Sequence, residues 1–262
     1  LVRAVGRGLL KIAALILFLS LLMESACMYT VAVACAGNAW QQKYRPLIGG
    51  IQIAKTEYWW IFPYEVRASI GFPAYYEIID RWCQCRIYGF VSAGHFADVG
   101  DSIYQPTTQD ENYVGYVSRD REDPDALFVY TETVPLGEKP DSVAPKILID
   151  AGRKYDIHGY MPRRLMRVGD PIYKVGRTTG RTGGVVVDIA FNYAIASYWS
   201  EPGDSGGTVY RLLAIKPDYP VYLYVYGIHS GRTTYEGANR AVFVIAERAL
   251  EALDIRLYTI YS

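Results

Sequence analysis

An all-β fold, a barrel or a sandwich, is what this chain predicts, and three observations carry that prediction. Short runs of Val, Ile, Tyr and Phe alternate with Gly, Pro and Asp turns along most of its length, the pattern of many short strands. Apolar residues at helical spacing are scarce. The 24 tyrosines suit half-buried β surface, where the ring packs and the hydroxyl meets water. Of the 262 residues, about 220 remain once an N-terminal segment is set aside, enough to bury one sizeable core.

Taken in order, the chain begins with Arg3, Arg7 and Lys11 ahead of Ile12 to Met23, an apolar run in which only Ser20 is polar. Glu24 interrupts, and the milder stretch Ser25 to Ala36 follows. A basic start before an apolar run reads as an export signal, with Ala34-Cys35-Ala36 suiting a small-residue cleavage site and a mature chain beginning near Gly37. Left uncut, residues 12–36 are long enough to anchor the chain in a bilayer. Residues 1–36 are therefore expected to be a signal peptide or signal anchor. Residues 37–262 then lie outside the cytoplasm, secreted or associated with a membrane through residues 12–36.

Cys83 and Cys85 are the cysteines left beyond that segment. On an extended run their Cα atoms sit about 7 Å apart, outside easy bridging distance, so no intramolecular disulfide is expected without a local bend. No second ligand pair accompanies them, and neither a metal nor a cofactor is expected. Further on, Gly89 to Gly94 is an apolar strand closing on small residues before His95, and Asp125 enters a second apolar run, Ala126 to Val129. Pro135 to Pro145 is polar and proline-marked, a connection. Over Ala241 to Leu253 the residues Val242, Ile245, Ala249, Leu250 and Leu253 fall near helical spacing, opposite Glu247, Arg248 and Glu251, which predicts a helix.

The most informative run is Gly203-Asp204-Ser205-Gly206-Gly207. Glycines around a serine permit a tight turn, present the hydroxyl at a loop tip and leave amide N–H groups free to converge on one spot. A serine hydroxyl is a weak nucleophile until a base, itself oriented by a third group, stands beside it. The chain has three histidines, His95, His158 and His229. Asp125 is the carboxylate favoured over its rival Asp123, which precedes Pro124 and lacks an apolar run directly after it.

These residues resemble the chymotrypsin-like serine proteases. The five-residue run is similar to that family's nucleophile loop, Ser92-Ala93-Gly94-His95 to its histidine segment, and the order His, Asp, Ser is the family's order. The resemblance covers roughly residues 48–255 and is nearest in style to the prokaryotic streptogrisin and glutamyl endopeptidase branch. It implies two six-stranded antiparallel Greek-key barrels and a short C-terminal helix, and the apolar run near the N-terminus is expected to form a helix ahead of them. The first barrel is expected at about 48–140, the second at about 160–240, and the helix at about 241–253.

The resemblance also implies roles. His95, Asp125 and Ser205 would be catalytic, and the amides of Gly203 and Ser205 would form the oxyanion hole. Lys174, in the run Ile172 to Val185, would pair with Asp204 and hold that loop in shape. Gly227 to Gly231 is similar to the strand lining the specificity pocket, so His229, Ser230 and Gly231 are expected to bind substrate, with Ser230 also matching a serine that supports the catalytic Asp. A His at the position of His229 accompanies acidic specificity in the glutamyl branch, and Arg232 stands where the family has Gly. The bracketing disulfide at the catalytic His is missing here, since Phe96 follows His95.

The expected activity is peptide-bond hydrolysis on a protein or peptide substrate, and the competing reading is a catalytically silent, membrane-tethered binding or cell-surface protein on the same fold. Balanced charge, 27 basic against 27 acidic residues, argues against a nucleic-acid partner.

Overall fold

The computed structural model describes residues 38–214 and 221–262, so the expected signal or anchor over residues 1–36 lies outside the described residues. Among them no helix is long and apolar enough to cross a membrane. Residues 39–262 form one compact unit. In chain order its strands are β1 (Leu47–Gly49), β2 (Gln52–Trp59), β3 (Phe62–Ser69), β4 (Phe72–Ile79), β5 (Gln84–Ser92), β6 (Ser102–Tyr104), β7 (Tyr113–Arg121) and β8 (Ala126–Pro135). After these come β9 (Val143–Asp150), β10 (Arg153–Tyr160), β11 (Pro171–Gly176), β12 (Gly180–Ile189), β13 (Tyr193–Ala196), β14 (Thr208–Ala214), β15 (Val221–Tyr235) and β16 (Ala238–Ile245). Helix α1 (Ala246–Leu253) and β17 (Arg256–Leu257) end the chain.

The strands form two sheets. One runs β17-β4-β5-β8-β7-β6-β2-β3. The other runs β1-β9-β10-β15-β14-β11-β12-β13-β16, and the added pairing of β15 with β16 closes six of its strands into a ring. All pairings within that ring are antiparallel. The second unit is thus a six-stranded barrel, to which β10 attaches in parallel along β15. The first sheet has seven strands from β2 to β8 because Gln52–Ser69 folds back as a full hairpin, and β17 adds an eighth.

Fully buried apolar side chains explain why these runs become strands. Phe90, Val91, Phe128 and Val129 are all 0% exposed, so β5 and β8 bury both faces and read as continuous apolar runs. Gly89 stands where a Cβ would meet Val129 O at 1.8 Å, beside a break in the β5–β8 register. Three apolar clusters follow. One fills the first sheet around Ile53, Tyr88 and Val129. Another fills the closed ring around Val186, Val209 and Phe243. The third welds the two units, setting Phe72, Val91 and Phe128 against Val175, Ile228 and Val244.

Three expectations need correcting. Strands β9 and β10 occupy much of the stretch assigned to the gap between the barrels, so the true connection is only residues 136–142. The C-terminal helix is confined to Ala246–Leu253 rather than 241–253. Residues Ala241 to Val244 instead pair with β13, and β16 also pairs with β15; such ladder bonds override an apolar spacing compatible with either period. Helix α1 stops at Asp254, which adopts φ +52°, a left-handed conformation that Asp tolerates better than most residues.

The third correction concerns Cys83 and Cys85, which are joined by a disulfide. Asp80 Oδ1 accepts the amides of Trp82 at 2.6 Å and Cys83 at 2.7 Å, while the Asp80 amide donates to Cys83 O at 2.9 Å. That turn keeps Cys83 out of β5 and brings the Cα atoms to 5.6 Å, within bridging range. The local bend that an extended chain lacks is supplied by an aspartate three residues upstream.

Candidate active site

The site forms where the two β units meet. Strand β5 delivers Ser92, and a short helical turn over Gly94–Phe96 carries His95. A Cβ on Gly94 would lie 2.8 Å from Arg121 O and 3.0 Å from Asp125 Oδ1, so the small residue before His95 lets the carboxylate approach. Asp125 directly precedes β8. Its Oδ1 accepts the His95 amide at 2.7 Å and its Oδ2 lies 2.8 Å from His95 Nδ1. His95 Nε2 is 3.0 Å from Ser205 Oγ, so the structure brings the three residues into one hydrogen-bonded line. The rival Asp123 faces elsewhere and accepts Asn192 Nδ2 at 2.8 Å.

Electrostatics follow from these contacts. The hydrogen bond that His95 Nδ1 donates to Asp125 raises the His95 pKa above its ordinary value, against an opposing effect of burial. Burial works to raise Asp125, but hydrogen bonds from His95 and Ser230 outweigh it and hold the carboxyl low. Ser230 Oγ donates to Asp125 Oδ2, so that side chain supports the carboxylate and does not face the pocket. Tyr193 was not singled out from sequence, yet its hydroxyl accepts the Asp125 amide at 3.0 Å.

The loop bearing Ser205 is held by a buried carboxylate. Asp204 Oδ2 is 2.7 Å from Lys174 Nζ, with both side chains 0% exposed. The same carboxylate accepts Thr179 Oγ1 at 2.7 Å and the amides of Thr178 at 2.9 Å and Glu201 at 3.1 Å. Burial lowers the Lys174 pKa while Asp204 opposes that shift. For Asp204, burial raises the pKa, but the Lys174 charge and the surrounding donors win and keep it low. A buried ion pair survives only when its remaining lone pairs are satisfied in this way.

Gly203 adopts φ +95°, which strongly favours glycine. A Cβ there would also sit 2.4 Å from Arg177 Nη1. Among the described residues, neither the Gly203 nor the Ser205 amide donates to a protein acceptor. Both are therefore available to an external oxygen. A hydroxyl beside an imidazole, next to two unused amides, can add to a carbonyl and stabilise the resulting oxyanion.

Beside Ser205 lies a pocket of about 210 Å³ lined by Ser200, Glu201, Pro202, His229, Gly231 and Arg232. His229 is buried and its Nδ1 is 3.1 Å from the Tyr198 hydroxyl. Burial, aided by the Lys174 charge, pushes its pKa down to about 3, so the ring is neutral. Tyr198 and the Ser200-Glu201-Pro202 wall escaped the sequence reading, although the latter directly precedes the nucleophile run. Arg232 stacks over Trp199 at 4.5 Å. A larger groove of about 900 Å³, lined in part by Tyr76, Arg119 and Leu250, contains none of these residues.

No known family profile and no curated protein matches the chain. Solved structures do. A chymotrypsin from Cellulomonas bogoriensis superposes with a TM-score of 0.55 at 21% identity, covering 81% of this chain and 98% of its own. Protease A of Thermobifida fusca gives a TM-score of 0.56 at 20% identity with the same coverages. A glutamic-acid-specific serine protease, described as using a histidine triad in substrate binding, gives 0.55 at 22% identity, over 81% of this chain and 100% of its own. The chain therefore has the chymotrypsin-like double-barrel fold of these bacterial serine proteases.

Proposed function

We propose that this protein is a serine endopeptidase, and the observation that carries the reading is the continuous Asp125–His95–Ser205 hydrogen-bond line beside two unused amides. His95 Nε2 takes the Ser205 proton as Oγ adds to a peptide carbonyl. The negative oxygen of the tetrahedral intermediate faces the amides of Gly203 and Ser205, each such donor being worth roughly 3–4 kcal/mol. His95 then protonates the leaving amine, and water repeats the steps to free the acid. Asp125, held by Ser230, keeps the imidazole oriented and stabilises its charged form. The Lys174–Asp204 pair keeps the nucleophile loop in its working shape.

The substrate residue before the scissile bond is acidic in this reading. We assign the Tyr198 hydroxyl, 3.1 Å from His229 Nδ1, as the donor of that bond, so that the ring proton sits on Nε2, to be offered to a carboxylate in the pocket, and Arg232 adds positive charge at the rim. One similar structure is described as glutamic-acid specific, though with a histidine triad, whereas the partner of His229 here is a tyrosine. The protein acts outside the cytoplasm, exported by residues 1–36 or anchored through residues 12–36. The Cys83–Cys85 disulfide supports an oxidising compartment.

Treating the full chain with a fluorophosphonate probe beside a Ser205→Ala variant tests the core of this reading. Labelling of the parent alone is expected, followed in a peptide library by cleavage after Glu or Asp. Absence of labelling would favour a silent binding protein, and cleavage only after Phe, Leu or Arg would remove the acidic preference.

A further inference from the structure

We infer that Thr178 is a positioning residue for the oxyanion site, setting the aim of the Gly203 amide through the carbonyl of Pro202. The inference rests on the serine-protease reading above and adds a residue that neither motif nor resemblance singled out. Thr178 follows β11 in the turn before β12, and it is exposed, so its surroundings suggest a replaceable surface residue. Its hydrogen bonds say otherwise. Thr178 Oγ1 donates to Pro202 O at 2.8 Å. A peptide unit is planar and trans, so its C=O and the following N–H point in opposite directions. Fixing Pro202 O toward Thr178 therefore turns the Gly203 N–H away from Thr178, into the space beside Ser205.

The direction of that hydrogen bond is also determined. Arg177 Nη1 lies 3.4 Å from Thr178 Oγ1 and can only donate, which leaves the hydroxyl proton for the Pro202 carbonyl. Thr178 itself is fixed, because its amide donates to Asp204 Oδ1 at 2.9 Å. The buried Lys174–Asp204 pair thus reaches both donors of the site. Asp204 O accepts the Gly207 amide at 2.8 Å, which turns the Ser205 N–H outward by the same planar-peptide argument. The Gly203 amide is reached through Thr178. One peptide further on, Ser69 Oγ donates to Gly203 O at 3.0 Å and accepts the Arg177 amide at 3.0 Å, holding the next plane from the other side. Glycine at 203 leaves the Pro202–Gly203 peptide free to rotate, and among the described residues Thr178 Oγ1 alone holds its carbonyl.

The test compares Thr178→Val, Thr178→Ala and Thr178→Ser with the parent in the full chain. Measured are kcat and KM on one peptide, melting temperature, and affinity for a peptidyl trifluoromethyl ketone of the same sequence, whose addition product places an oxyanion at Gly203. Removing the hydroxyl is expected to lower kcat about ten- to a hundredfold with little change in KM, less than outright loss of a donor, since the amide stays and only its aim is freed. Ketone affinity should fall by a matching factor, and Thr178→Ser should restore both. A purely structural role would lower the melting temperature and leave ketone affinity and turnover per folded molecule unchanged. That result, or failure of Thr178→Ser to rescue, overturns the inference while the protease reading stands. Should the parent itself neither label with fluorophosphonate nor cleave peptides, both readings fall.

Discussion

At the residue scale the two histidines of the site behave oppositely, and each difference has a pH signature. His95 is raised by its hydrogen bond to Asp125. A protonated imidazole cannot accept the Ser205 proton, so the acid limb of kcat/KM should have its midpoint above the roughly 6.5 of a free imidazole. Asp125→Asn should move that limb down, as a pH–rate profile would reveal. His229 is held neutral down to about pH 3 by burial. Between that value and about 6.5 the unfolded chain binds a proton that the native protein lacks, so stability falls as pH drops through this window. The group contributes up to about 1.4 kcal/mol per pH unit there. A His229→Gln variant should therefore lose less stability than the parent between pH 6.5 and 4, compared by urea denaturation. An equal loss in both would remove His229 as the cause.

At the scale of the element, the nucleophile loop is a set of pinned peptide planes around one buried ion pair. Lys174→Met would leave Asp204 buried and uncompensated, at a cost of about 3–5 kcal/mol, and would release the amides that Asp204 organises. Both the unfolding midpoint and kcat should drop, and unchanged turnover would separate the pair from the function. Much of this loop was legible in the sequence, because Gly203 and Ser205 carry conformational demands that only a few residue types meet. The Thr178–Thr179 arm was not. Its partners lie some 25 residues away in sequence, and a threonine in a turn has many ordinary reasons to be there. The Cys83–Cys85 bridge is hidden for a related reason: on an extended chain the two residues are out of reach, and Asp80 supplies the bend that joins them. The start of α1 failed because Val242 to Ile245 fit either periodicity until β13 and β15 pair with β16.

At the scale of the whole molecule the site is a property of the joint between two units. His95 and Asp125 adjoin strands of the first sheet and Ser205 lies in the loop leading into β14 of the second, so the proposed catalysis requires their docking to hold to within a hydrogen bond. Phe128, fully buried in the cluster that welds the units, is a direct probe of that joint. Phe128→Ala should cost about 3–5 kcal/mol through the cavity it leaves. In the folded fraction it should also lower kcat, because Phe128 lies in β8, the strand that Asp125 directly precedes. A stability loss with full turnover would mean that the joint relaxes without disturbing the line of three.

What the sequence determined by itself was the β class and the glycine-bounded turn at Ser205, while the resemblance named His95 and Asp125 as the expected partners that the structure places in line with it. The first two follow from local demands, strand period and glycine turns; the histidine after one apolar run and the aspartate before another take their expected roles from the resemblance. What only the tertiary structure decided was which side chains serve which partner. Ser230 turns to Asp125 instead of the pocket, Tyr198 takes one nitrogen of His229, and Thr178 takes the carbonyl of Pro202. Hydrogen bonds of this kind join residues far apart in the chain: Tyr198–His229 and Thr178–Pro202 depend on how the second barrel folds on itself and Ser230–Asp125 on how the two barrels pack, which no local pattern encodes.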